Sequence, residues 1–196
     1  MQLQNMDAPI ISVITVCYNV ASTIEKTMLS VLNQTYKNLE YIIIDGNSTD
    51  GTVDIIKKYA ERLTFWISEP DKGIYDAMNK GIVKATGKFL IFMNAGDQFL
   101  NEKVLSKCLP YFLQEIDVIS GIGYLSGQKW IPAKATDLSV AFFLKRSLNH
   151  QATFINRKLF QDNLYRTDLK IVGDSVFFFQ ALIMDNASYV DIPIEI

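Results

Sequence analysis

Apolar, β-branched runs at residues 11–16, 39–44, 64–67 and 89–93 alternate with stretches whose apolar residues recur at helical spacing. Strands that read as continuous apolar runs are buried on both faces, and the helices between them supply the two covers. The pattern therefore predicts an α/β fold with a mostly parallel central sheet flanked by helices. Ser22, Thr23, Ile24 and Glu25 read as a capping box, and Ile24, Met28, Val31 and Leu32 then share one helical face. A second helix is predicted to begin near Thr49 or Asp50 and to turn Val53, Ile56 and Ala60 inward. The third carries Ile74, Ala77, Met78, Ile82 and Ala85 towards the sheet, with Gly87 as its stop signal.

Beyond residue 100 the rhythm changes. A helix is predicted over residues 102–114 and a strand over 117–120, after which Gly121, Gly123, Ser126 and Gly127 space out irregular strands or hairpins. No repeat or flexible linker divides the chain, so residues 1–196 are expected to form a single domain. Its halves, about 1–100 and about 101–196, then divide by function and not by folding. With 49% hydrophobic residues, a chain of this length buries a core without disulfides or a structural metal, and Cys17 and Cys108 read as small core residues. The closing IPIEI reads as a strand, and a further element beyond it, lost by truncation, is expected. The start, MQLQNMDAP, lacks a basic and apolar leader, and no apolar run reaches the ~20 residues of a membrane span, so a cytoplasmic protein is expected. Nineteen basic against 21 acidic residues leave a net charge of −2, too weak a field to recruit nucleic acid.

Each predicted strand of the first half is followed at once by polar residues: Thr15, Tyr18 and Asn19; Asp45, Asn47 and Ser48; Ser68, Glu69 and Asp71; Asn94 and Asp97. In an open parallel sheet the loops leaving the carboxyl ends of the strands line one ligand crevice. Turn and cap chemistry accounts for any one of these clusters, but four at corresponding positions point to a site. Neither GxxxxGK[ST] nor GxGxxG occurs, so a bound diphosphate needs a cation for neutralisation. Asp97, directly after the fourth strand, is the expected ligand for that cation, magnesium or manganese.

The segments ISVITVCYN, YIIIDGNSTDGT, SEPDKGIYDAMNKGI and ATGKFLIFMNAGD resemble, in order and spacing, family 2 glycosyltransferases of the GT-A fold. The resemblance spans residues 10–97 and implies a nucleotide-diphospho-sugar transferase of the kind that builds bacterial surface polysaccharides. It implies that the first half holds the donor and the second half the acceptor. Thr15, Tyr18 and Asn19 fall on the family's nucleoside-contacting first motif, and Asp45 begins the acidic pair of the second strand, with Asn47 close by. Gly46 replaces the second acid, which leaves the base open among UDP, dTDP and GDP, with UDP favoured. The DxD element maps onto Asn94, Ala95, Gly96 and Asp97 with only its last acid kept. Asp71 and Lys72 fall in the third motif, where Lys72 offsets phosphate charge or is simply solvated.

Inverting transfer requires a group that takes the acceptor's proton. Asp174 in KIVGDSVFFF resembles the family's catalytic base, with Gly173 in place of the frequent preceding Glu; an N-cap is the alternative reading. His150 and Gln151 stand where the family carries a polar pair near the diphosphate or acceptor. A saccharide or lipid-linked saccharide is the implied acceptor. LSVAFFLKRSL mixes apolar and basic residues, through core packing or through peripheral contact with the inner face of a membrane. The competing readings are a non-catalytic nucleotide-sugar-binding module and a nucleotidyltransferase. YNVAST, after the first strand, lacks the basic residue that the latter needs.

Overall fold

The computed structural model describes residues 10–196; the leader reading of MQLQNMDAP falls on residues outside that range. β1 (Ile11–Cys17) pairs in parallel with β2 (Leu39–Asp45) on one side and with β4 (Phe89–Phe92) on the other, and β3 (Phe65–Ser68) extends the sheet beyond β2. All seven β1 residues are buried, as their unbroken apolar pattern predicts. Alternation decides which face each serves. Val13, Tyr41, Ile43 and Ile91 join one core with α1 (Ile24–Leu32) and, further on, α4 (Val104–Phe112). Ile14, Val16, Ile42, Ile44 and Phe92 face the opposite core with α3 (Ile74–Lys84). A shorter α2 (Thr52–Lys58) completes the helices of the first half.

The second half continues the same sheet. β7 (Thr153–Asn156) lies antiparallel between β4 and β5 (Val118–Leu125), giving the order β3-β2-β1-β4-β7-β5-β6. β6 (Gln128–Trp130) returns from β5 through Ser126 and Gly127, both at positive φ, the backbone of a two-residue hairpin turn. β8 (Tyr189–Glu195) pairs in parallel with β5 and contains the IPIE segment. Between them lie the single turn α5 (Val140–Phe143) and α6 (Gly173–Phe179), which runs on into a π-helical turn at Gln180–Met184. The α/β class and the mostly parallel sheet are as the sequence predicts.

Some local readings are corrected. The capping box does not form: Thr23 is the N-cap without a side-chain bond, and Glu25 accepts instead from the Tyr59 hydroxyl at 2.8 Å. Gly87 does not stop α3, which ends at Lys84. A Cβ at Gly87 would lie 2.7 Å from the Ile10 carbonyl oxygen and 2.9 Å from the Ser12 nitrogen, so close approach to β1 is what demands glycine there. The helix read over 102–114 is confined to α4, with Pro110 in its last turn.

In the amphipathic segment before β7, Phe142 and Phe143 pack on the second core, while Val140 and Leu144 are exposed beside Lys145 and Arg146. Among the described residues no helix is long and apolar enough to cross a membrane.

Candidate active site

The strand order reverses at β1, whose neighbours β2 and β4 lead in opposite directions, and ligand crevices form outside such a switch point. The β1 and β2 exits are laced together. The Asn19 amide donates to Ser48 Oγ at 2.8 Å, and the Thr49 amide donates to Asn19 Oδ1 at 2.9 Å. Asn19 and Asn47 both take positive φ, which short amide side chains tolerate, and both are exposed. Asp45 is fully buried: its carboxylate accepts from the Ser48 amide and hydroxyl and from Ser68 Oγ at 2.6 Å. With Cys17 Sγ of β1 also donating to it at 3.5 Å, it braces three strand exits. Thr15, also fully buried, donates to the Met93 carbonyl at 2.7 Å and bonds the Tyr41 hydroxyl, so it holds the β4 exit and does not face the crevice.

A cavity of about 320 Å³ opens at these ends, lined by Tyr18, Asp71, Ile74, Ala77, Asn94 and Ala95 among others. Tyr18 is 62% exposed, and Lys72 is exposed with its amide donating to Asp76. A slightly larger cavity, about 340 Å³ between Lys158, Asp162, Phe177 and Asp185, contains none of the residues singled out from sequence.

After β4 the chain turns through Asn94, Ala95 and Gly96 to Asp97; Gly96 has φ 108°, and the Asp97 amide closes the turn on the Asn94 carbonyl. Burial pushes the Asp97 carboxyl above its ordinary value, against the opposing pull of a Gln151 hydrogen bond and the His150 ring. A half-desolvated carboxylate of this kind gains from a cation. Asn94 Oδ1 is buried and without a hydrogen-bond partner. Two hard oxygen donors in one turn fit a cation whose remaining ligands come from phosphate and water. Among the described residues no group of three or more His, Cys, Asp and Glu side chains could hold a metal unaided.

Asp174 lies in the first turn of α6. The N-cap of that helix is Val172, so the capping alternative for Asp174 does not hold. One carboxylate oxygen accepts from the Tyr75 hydroxyl at 2.9 Å, and the other meets His150 Nδ1 at 2.9 Å. Burial raises its pKa, but hydrogen bonds from His150 and Tyr75 outweigh this and leave it below the ordinary carboxylate value. His150 Nε2 in turn meets Asn94 Nδ2 at 3.2 Å. With Nδ1–H donating to Asp174, Nε2 is an acceptor, and the chain Asn94–His150–Asp174–Tyr75 ties the turn after β4 to the start of α6. His150 and Gln151 also line a cavity of about 220 Å³ with Leu125 and Trp130, and Gln151 and Asp97 share one of about 310 Å³.

Tyr75 is the residue that sequence reasoning missed: the helical pattern turned Ile74 inward, whereas Ile74 is 43% exposed and Tyr75 takes the buried position beside it. Its ring also accounts for Gly173: a Cβ there would lie 2.8 Å from the ring.

The family model described as Glycosyl transferase family 2 matches residues 12–185. A PGL/p-HBAD biosynthesis glycosyltransferase of Mycobacterium bovis is 34% identical over 161 residues, covering 79% of this chain and 62% of that protein. The chain thus spans somewhat less than two thirds of that relative. Among solved structures, Staphylococcus aureus TarS 1-349 in complex with UDP-GlcNAc superposes with TM-score 0.75 at 22% identity, over 93% of this chain and 56% of that one. The mannosyltransferase PcManGT of Pyrobaculum calidifontis, in complex with GDP-Man and Mn2+, gives TM-score 0.75 at 21% identity, over 96% and 56%. At these identities the structural likeness shows the GT-A fold.

Proposed function

The chain belongs to glycosyl transferase family 2, and on that premise we propose that it transfers a sugar, with inversion, from a nucleotide diphosphate sugar to an acceptor hydroxyl. The observation that carries this reading is the convergence of Asp97, the Asp174–His150 pair and the strand-end cavity around Asn94. Residues of the first half, Tyr18, Asp71, Asn94 and Ala95, line the donor side; Gly96 lies with Asp97 and Gln151 in the adjoining cavity, and the second half receives the acceptor around His150 and Gln151. Asp97 with Asn94 would hold a divalent cation, manganese or magnesium, which when bound would neutralise the diphosphate and stabilise it as a leaving group. The acceptor oxygen bonds to the anomeric carbon as the bond from that carbon to the phosphate oxygen breaks. The hydroxyl proton passes to the Asp174–His150 pair. Asp174 supplies the negative charge, and one of its two present hydrogen bonds gives way to the acceptor.

UDP-sugars are the favoured donors, supported by the UDP-GlcNAc complex of the TarS neighbour; the GDP-Man complex of the other neighbour keeps GDP in the comparison. The name of the mycobacterial relative, a biosynthesis glycosyltransferase, supports a role in glycoconjugate assembly, and surface-polysaccharide synthesis at the inner membrane face is the setting we assign. The exposed Val140 and Leu144 beside Lys145 and Arg146 suit a lipid-linked acceptor.

The test is turnover of a panel of UDP-, dTDP- and GDP-sugars, read as nucleoside diphosphate release with manganese. Asp174→Asn should lose turnover by about 100-fold or more while donor binding stays. Unchanged turnover in that variant removes Asp174 from the mechanism, and donor binding without turnover in the native chain leaves a nucleotide-sugar-binding module.

A further inference from the structure

We propose that Asp71 reads the nucleobase of the donor, one carboxylate oxygen accepting a ring N–H from a base stacked on Tyr18. This rests on the donor-site reading above. It starts from Gly46, where the expected second acid of β2 is missing. Gly46 is not in the left-handed region, so its backbone tolerates a side chain. Its neighbours do not: a Cβ there would lie 2.5 Å from Asp71 Oδ2 and 3.3 Å from Tyr18 Cδ2. The space vacated at Gly46 is filled by a carboxylate delivered from the β3–α3 connection, and it is filled beside an aromatic ring.

The two oxygens of Asp71 differ. Oδ1 accepts from the Gly73 amide at 2.8 Å, which fixes the carboxylate; Oδ2 has no donor among the described residues. Asp45, the other carboxylate of this wall, is fully buried with both oxygens engaged by Ser48 and Ser68, and it cannot reach a ligand. Tyr18 leaves a face open for stacking, and both it and Asp71 line the same 320 Å³ cavity.

One free oxygen suits one donor. Uracil and thymine present a single ring N–H between two carbonyls. Guanine presents a ring N–H and an amino group side by side and calls for both oxygens of a carboxylate. Cytosine and adenine turn an unprotonated ring nitrogen to the same edge, which the carboxylate repels. The donor is therefore a uridine or thymidine diphosphate sugar.

Calorimetric titration with UDP and with N3-methyl-UDP isolates this bond, since the methyl group removes only the donor and adds little bulk. The native chain should favour UDP by roughly 10- to 100-fold, the range of a hydrogen bond to a charged group. Asp71→Ala should bind the two ligands alike. Gly46→Ala, which keeps Asp71 but forces its carboxylate aside, should also lose the preference, and Asp45→Asn should keep it. Equal binding of both ligands by the native chain, or a preference that survives in Asp71→Ala, overturns the assignment while leaving the donor site standing. A folded native chain that binds neither nucleotide overturns the donor-site reading and this inference with it.

Discussion

Removing the Tyr75 hydroxyl isolates the link between α3 and the Asp174 carboxylate. In Tyr75→Phe the ring keeps its place against Tyr165, with centroids 5.5 Å apart, and only the oxygen is lost. That oxygen carries one proton and lies 2.9 Å from Asp174 Oδ1 and 2.8 Å from the Ile171 carbonyl. Burial first, and then the Asp174 charge, push the Tyr75 phenol up to about 12, so it stays a donor throughout the working range. A hydrogen bond to a charged group contributes about 1.5–3 kcal/mol. Asp174 is only 14% exposed, so water replaces little of what is lost. The variant should therefore be about 2 kcal/mol less stable at pH 7 by urea denaturation. Because the folded pKa of Asp174 lies below its ordinary 3.8, the ionised form stabilises the fold fully above that value, and this contribution fades as pH falls through the lowered pKa. The gap between Tyr75→Phe and the native chain should shrink over that acidic window. A gap that is absent at pH 7, or that is constant down to pH 3, refutes the reasoning.

Asp45→Asn should cost about 3 kcal/mol in chemical denaturation, because the Ser48 and Ser68 donors then face a buried amide instead of a carboxylate. Gly87→Ala should cost about 1–3 kcal/mol by the same measurement, since the methyl group meets the rigid backbone of Ile10 and Ser12. Asp97 ionises later than an ordinary carboxylate as pH rises, so manganese affinity in the presence of UDP should fall off at a pH above 3.8 as the proton competes; calorimetry across pH 4–7 reads this directly.

The fold was legible because its signals are local. Each apolar run of the first half became a strand, shifted by one residue at β3, extended by one at β1 and β2 and shortened by one at β4. Inner-face residues such as Met28, Ile56 and Met78 followed from helical spacing alone. What failed were readings whose outcome a distant segment decides. Glu25 is held by Tyr59 and not by its own helix start, and Gly87 is fixed by β1. The candidate site divides the same way. Asp97, His150 and Asp174 carried a motif, and the fold brings them into one hydrogen-bonded neighbourhood. Thr15 and Asp45 carried one too, yet strand-end burial turns them inward as struts. Gly46 and Gly173 read as departures from the family pattern. Only the three-dimensional arrangement ties them to Asp71 and Tyr75, which come from one stretch of sequence and occupy the space beside both glycines.

The most direct test of a cation-assisted donor site at the β1–β4 crevice is the affinity of UDP with and without manganese, in the native chain and in Asp97→Asn. Manganese should tighten UDP binding to the native chain by about 10-fold or more and leave the variant unmoved. An equal manganese effect in both proteins, or none in either, would contradict the role given to Asp97 and with it the account of how this crevice holds a diphosphate.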